Sequence, residues 1–343
     1  MRKFQLFMLL LATTMVSAQS SRNAGVRIQE NPSQKSVDIY FGDKLFTSYI
    51  YPDNIMKPVL WPLISSRGHV VTRSYPLEKV PGERTDHPHH IGLWFNYGDV
   101  NGIDYWNNSE AIPQDRKSQY GRISHKKVVS TQSGENSGEL VVEAVWHGNG
   151  RDELMETTRY RFSNDGATRI IDRETTLKAL VDVSMEDNKE GVLGLRVAPE
   201  MELPSDEEIT LTDAHGLPTT VKASNDRANA DYLSSEGITG GDVWGTRAVW
   251  MDLHGNMGGD DVHIVIIDHP GNPGYPTYWH ARGYGLFAAN PLGQSALSGG
   301  KESLHFSIKK GEEATFKYRI IIQDGGKSNG KSWNKHARKF AKQ

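Results

Sequence analysis

The sequence predicts an all-β protein: a large antiparallel β-sandwich of the supersandwich type, spanning roughly residues 22–335, with a short C-terminal helix. Three observations predict it. Eleven short segments read as strands, most of them alternating apolar and polar residues with period two. None of them is separated by the amphipathic helical runs that a parallel βαβ arrangement needs. The 34 glycines cluster in the intervening turns without a repeat of fixed period, which argues against a propeller.

The elements follow in order. Val26-Arg27-Ile28, residues 36–41 and residues 45–50 read as successive strands, with Gly42-Asp43 as a turn between the last two. Alternation resumes over residues 139–146, 156–162 and 168–180. Tyr160-Arg161-Phe162 and Arg169-Ile170-Ile171 flank Asn164-Asp165-Gly166, which predicts a hairpin with a turn-forming Asp-Gly. Further strands are expected over residues 192–197, 248–253, 262–267, 304–308 and 314–322. Only the chain from Ser332 onward has a helical pattern; the basic run from Lys331 to Lys342 reads as a solvated terminal helix, and residues 336–343 as a basic tail.

At the other end, Arg2 and Lys3 precede an apolar run from Phe4 to Leu11, and Val16-Ser17-Ala18 supplies small residues before Gln19. That order predicts a signal peptide over residues 1–18, cleaved after Ala18, and a periplasmic or secreted protein. No later segment reaches the roughly 20 apolar residues that span a bilayer, so no membrane span is expected. The chain has no cysteine, which excludes disulfides and a lipid anchor on that residue. A net charge of −3 with evenly scattered charges excludes the basic stripe that nucleic acid requires. Eight tryptophans and thirteen tyrosines suit sugar faces and a large β-core alike.

The densest chemistry lies between His87 and Trp106. His87, His89 and His90 stand beside Trp94 and Trp106, with Asp99, Asn101 and Asp104 between the rings. Pro88 cannot donate to a ladder, so the stretch reads as a loop, a strand start or an edge; if His87-Pro88-His89-His90 is extended, His87 and His89 share one face and His90 takes the other. Imidazoles so placed can act as acid and base, donate to hydroxyls, or hold a divalent metal through His87 and His89. A cupin-type metal pattern requires a glutamate where this chain has Leu93 or Trp94, so it fails.

A second group follows the apolar run 262–267: Asp268-His269-Pro270, then Tyr278, Trp279, His280 and Arg282. Extended geometry puts Tyr278, His280 and Arg282 on one face, a hydrogen-bonding wall for a polyol or carboxylate, with Trp279 opposite. A third comprises Arg196 and Glu200, with Trp244, Arg247 and Asp252 farther on. An arginine inside an apolar strand needs an anionic partner, from the protein or a substrate. Glu200, Asp99 and Asp104 are candidate bases. Nucleophile elbow, phosphate loop, dinucleotide fingerprint and His-Glu-x-x-His are all absent.

Three blocks of these residues resemble the PmoA-like family of uncharacterised exported bacterial proteins. They are His87 through Trp106; Leu195-Arg196-Val197-Ala198-Pro199-Glu200; and Asp268-His269-Pro270 through Tyr278-Trp279-His280 to Asn290-Pro291. The family label borrows the name of a membrane-bound methane oxygenase subunit, whose spanning helices this sequence lacks. The resemblance implies a β-sandwich similar to galactose-mutarotase-like domains and an origin among polysaccharide-degrading bacteria.

The expected function is an exported carbohydrate-active enzyme, a lyase, hydrolase or epimerase, with His87, His89 and His280 supplying acid and base groups. Arg196, Arg247 and Arg282 would bind a carboxylate or hydroxyls, and Trp94, Trp106 and Trp279 would stack on the ring. His90, Asp99, Asn101, Asp104, Glu200 and Tyr278 complete the candidate substrate-binding set. The alternative is a non-catalytic glycan-binding protein, for which rings and amides suffice.

Overall fold

The computed structural model describes residues 25–343, apart from Ala214, Gly216, Ser224 and Ser328. The expected signal segment, residues 1–18, lies outside the described residues. The alternating segments pair into two eight-stranded sheets, except residues 304–308, where Phe306–Ile308 pairs with Val183–Met185 in a separate two-stranded ribbon. Across the first sheet the strands run Val26–Asn31, Ser36–Phe41, Lys44–Ile50, Val59–Leu60, Leu93–Tyr97, Gly191–Arg196, Leu286–Asn290 and Tyr278–Ala281. Across the second they run Asp231–Ser234, Trp250–Met257, Asp260–Asp268, Glu313–Asp324, Thr168–Ala179, Arg151–Asp165, Ser137–Gly148 and Arg122–Gln132. Neighbours pair antiparallel in both. The chain is an all-β sandwich.

The period-two pattern decides which residues fill the space between the sheets. Leu93, Phe95, Leu193, Leu195, Phe287, Ala289 and Trp279 from the first sheet join Phe162, Ile171, Phe316 and Ile320 from the second in one buried cluster. The sheets touch through Phe95 and Phe316, 5.5 Å between ring centroids, and through Phe46 and Phe162 at 6.3 Å. Each fully buried side chain of this kind contributes about 1.5–3 kcal/mol. The expected hairpin forms: Asp165 pairs with Thr168, and Gly166 adopts φ 61° in the connection.

The C-terminal helix differs from expectation. It runs Gly330–Phe340, capped by the Asn329 side chain, which accepts from the Lys331 amide. It is amphipathic rather than solvated: Trp333 and Phe340 are buried against Trp250, Val265, Ile267 and Ile321 on the outer face of the second sheet. A second helix, Gln294–Ser298, lies in a stretch where no helix was expected.

The outer face of the first sheet positions the candidate site. Cross-strand register aligns Trp94 with Gly194, Gly194 with Ala288, and Ala288 with His280. Two large rings thus flank two small residues in one row, and the pocket opens at its His280 end, beside Leu286. Gly194 is required in that row. A Cβ on it would lie 2.3 Å from Trp94 Cζ2, so the indole covers the glycine. We expect Gly194→Ala to destabilise the protein by about 1–3 kcal/mol through overpacking. Chemical denaturation followed by tryptophan emission measures both the loss and the displacement of Trp94; an unchanged midpoint would show that the indole has room to move.

Candidate active site

Over this face of the sheet the chain from Arg84 to His90 forms a loop whose backbone is held by buried cations. Arg73, fully buried, donates to the carbonyls of Arg84 (3.2 Å), Asp86 (2.9 Å), His87 (2.9 Å) and His90 (3.1 Å) and to Asp86 Oδ1 (2.7 Å). Lys57, also buried, donates to the His89 carbonyl at 2.7 Å and lies over the Trp94 ring. Burial pushes the Lys57 ammonium down to about 7 and the Arg73 guanidinium down to about 9.

Of the loop, strand start or edge that Pro88 allowed, the segment is a loop, and it turns rather than extends. The His90 amide donates to the His87 carbonyl at 3.0 Å, with Pro88 at the second turn position, where its fixed φ is favourable. His87 adopts φ 44°, a left-handed conformation that costs a non-glycine residue about 1–3 kcal/mol and persists only where its surroundings enforce it. The turn therefore gathers all three imidazoles instead of splitting them between faces. His87 stacks on His90 (centroids 4.8 Å, planes 2° apart) and on Tyr284 (5.0 Å, 2°), while His89 meets His90 edge-on at 4.4 Å. Behind them His90 stacks on Trp94 at 5.2 Å and meets Trp106 at 5.7 Å.

A second layer of charge lies beneath. Asp86 Oδ1 accepts from Arg196 Nη2 at 2.7 Å as well as from Arg73, and Glu202 accepts from Arg84 Nε at 2.7 Å. Three guanidiniums face two carboxylates. Burial alone would raise the Asp86 carboxyl, but His87, Arg196 and Arg73 hold it well below the usual carboxylate range. Burial dominates at Glu202 and raises it. The Arg196 partner anticipated from its apolar strand is thus a protein carboxylate, and its guanidinium is sealed from solvent under Tyr284.

The pocket above has a volume of about 210 Å³, suited to one sugar-sized ring, and His87, His89, His90, His280, Trp106 and Arg282 all line it. His280 donates its Nδ1 hydrogen to the Lys189 carbonyl at 2.9 Å, leaving Nε2 as an acceptor; burial pushes it down to about 4. His89 and His90 are held well below the ordinary imidazole value, chiefly by burial and then by neighbouring cations and imidazoles. These three rings are neutral near pH 7. The His90 Nε2 is buried with no protein partner. Glu190 completes the wall as the pocket's carboxylate, fixed by Asn107 Nδ2, and Asp104 orients Asn107 and Trp106 by accepting from both amides. At the rim, exposed Arg282 lies over the Trp244 ring, and its guanidinium has no hydrogen-bond or ion-pair partner among the described residues.

A family model of unknown function, DUF6807, matches residues 36–338. The chain belongs to the DUF6807 family. No curated protein matches it. Among solved structures, the GH36 alpha-galactosidase AgaB from Geobacillus stearothermophilus is 11% identical, with 87% of this chain and 41% of that one covered at a TM-score of 0.41. A putative kojibiose phosphorylase from human microbiome is 9% identical, with 94% and 36% covered at 0.34. The Slr1438 protein from Synechocystis sp. PCC 6803 is 9% identical, with 88% and 96% covered at 0.31. The chain spans about two-fifths of the length of the galactosidases it matches.

Several candidates of this DUF6807 member lie elsewhere. Trp279 faces the inter-sheet core, donating to the Ala248 carbonyl, so it offers no ring to a ligand. Trp94 is likewise buried and acts beneath His90. Asp99 accepts from the Gly102 amide, and Asn101 bonds Glu153, the Asp182 carbonyl and the Ser184 amide, both remote from the histidines. Glu200 pairs with Arg227. Arg247 binds Glu302 and the carbonyls of Gly274 and Pro276, with Tyr278 beneath its guanidinium. His87 and His89 do not converge with a third ligand atom into a tight metal-holding set among the described residues. Arg73, Lys57, Glu190 and Tyr284 were not anticipated; of the added residues only Asp86, an acid adjoining His87, carried a local signal.

Proposed function

We propose that this pocket binds a sugar and performs acid–base chemistry on it, as a lyase, hydrolase or epimerase. The convergence of four imidazoles with one carboxylate, Glu190, and an unpartnered guanidinium, Arg282, in a single small depression carries the reading. His89, His90 and His280 are neutral and serve as hydrogen-bond partners for hydroxyls, with the His280 Nε2 as an acceptor and the orphaned His90 Nε2 as an acceptor or donor according to tautomer. Proton transfer falls to His87, whose Nδ1 lies 3.2 Å from Asp86 Oδ2, and to Glu190. Arg282 holds a carboxylate or a pair of hydroxyls, and exposed Trp244 offers a stacking face. An exported setting, periplasmic or secreted, belongs to the same proposal. Among the described residues no helix is long and apolar enough to cross a membrane.

The test is a panel of neutral and uronic monosaccharides and short oligosaccharides, followed by saturation-transfer and time-course proton NMR. We expect binding by a sugar of the panel and turnover that falls about 10²–10⁴-fold in His87→Ala and in Glu190→Gln with the fold retained. Failure of every sugar to bind, or full activity in both variants, sinks the assignment. The Arg282–Trp244 platform at the rim also suits a glycan-binding protein without turnover; binding that persists in His87→Ala with no product formed would favour that reading.

A further inference from the structure

The second sheet carries a separate cluster of metal-ligating side chains on its outer face, beside the C-terminal helix. Asp252 and His254 stand two residues apart on the Trp250–Met257 strand and share a face; His263 on Asp260–Asp268 lies directly opposite His254 in the register. One ligand atom from each lies within 4.8 Å of the other two. We infer that Asp252, His254 and His263 form a binding site for a divalent transition-metal ion.

The detailed geometry favours it. His263 Nδ1 sits in the fork of the Asp252 carboxylate, 3.1 Å from each oxygen. Ligand atoms of a tetrahedral ion at about 2.0–2.1 Å are separated by about 3.3 Å, so an ion replaces that hydrogen bond with little movement. Outer-shell partners of the kind that orient metal ligands are already in place. His263 Nε2 faces the Gly326 carbonyl at 3.3 Å, which fixes Nδ1 as the inward atom, and Trp333 Nε1 donates to Asp252 Oδ2 at 3.0 Å. His254 Nδ1 is buried and has no hydrogen-bond partner, an arrangement that costs free energy unless something coordinates it. The two imidazoles line a cleft of about 480 Å³ with Asp231, Asp261 and Asn229, which leaves a route and an open position for water or a ligand. Two nitrogens and one carboxylate oxygen suit zinc, iron(II) or cobalt(II) rather than magnesium or calcium.

Zinc titration by calorimetry tests this on untagged protein freed of metal by chelator, together with the visible spectrum after cobalt(II) addition. We expect one equivalent of zinc, cobalt d–d bands of a low-coordinate nitrogen–oxygen site, and an affinity loss of at least about 100-fold in His254→Ala and Asp252→Asn. His254 is the cleaner variant, since its Nδ1 bonds nothing in the fold. His87→Ala should bind zinc like the wild type, which separates this site from the sugar pocket. Wild-type protein that takes up no zinc at micromolar concentrations, or His254→Ala protein that binds with unchanged affinity, would overturn the inference.

Discussion

Replacing Arg73 with methionine should destabilise the protein by about 3–5 kcal/mol and abolish ligand binding in the histidine pocket. Methionine fills much of the same volume but donates nothing, so the carbonyls of Arg84, Asp86, His87 and His90 lose their shared donor at once. Asp86 keeps only Arg196 and His87 as cationic or hydrogen-bonding neighbours. The left-handed backbone at His87 is then no longer enforced from below, and relaxation of the turn disperses rings that now stack within 5 Å of one another. Arg196 offers the contrast. Its guanidinium reaches only side-chain atoms, Asp86 Oδ1 at 2.7 Å, His90 Nδ1 at 3.4 Å and Glu202 Oε1 at 4.0 Å, and holds no loop carbonyl. Its loss also removes one of three clustered like charges. Arg196→Met should therefore cost less than Arg73→Met and leave the turn in place. Urea titrations of the two variants, with hydrogen exchange at the His90 amide, decide it; Arg196→Met costing as much as Arg73→Met would refute the division of labour.

That division explains what the sequence did and did not disclose. Strand alternation is a local property, so the Ser36–Phe41, Lys44–Ile50 and Asp260–Asp268 strands and the hairpin at Asp165-Gly166 were legible. Alternation also places Tyr278 and His280 on one face and Trp279 on the other, but it cannot say which face meets the partner sheet. Here the core took Trp279, and a reading that saw the indole as a sugar platform chose the wrong side. Pro88 marked an interruption, yet whether the chain there extends or turns depends on Arg73, fourteen residues from the nearer of the two carbonyls that frame the turn. Nothing in the local pattern around Arg73 distinguishes it from a surface arginine. Glu190 and Tyr284 reach the pocket only because the Leu93–Tyr97, Gly191–Arg196 and Leu286–Asn290 strands are neighbours in space. Histidine density reveals the site; its carboxylate and its scaffold come from pairings distant in sequence.

Acid should destabilise the fold through the same buried imidazoles, by an amount that one variant isolates. His280 is pushed down to about 4 from an ordinary value of 6.5. Between those values the unfolded chain binds a proton at this residue and the folded chain does not, so stability falls as pH drops through the window. At about 1.4 kcal/mol for each pH unit of that gap, His280 alone removes about 3 kcal/mol by pH 4. His89 and His90, displaced in the same direction by burial, add to the loss. Asp268 acts in the opposite sense. Burial raises its carboxyl to about 7, so from pH 7 down to the ordinary carboxylate range the folded state keeps a proton that the unfolded state has shed, and stability rises as pH falls. Because these contributions overlap, the wild-type curve alone does not isolate His280, whereas the difference from His280→Gln does. Glutamine keeps a donor for the Lys189 carbonyl but cannot titrate. Near pH 7.5 the wild type should be the more stable of the two; toward pH 4 its advantage should shrink or reverse by about 3 kcal/mol. Denaturant midpoints across that range make the comparison, and parallel curves for the two proteins would mean that His280 titrates in the folded state as it does in water.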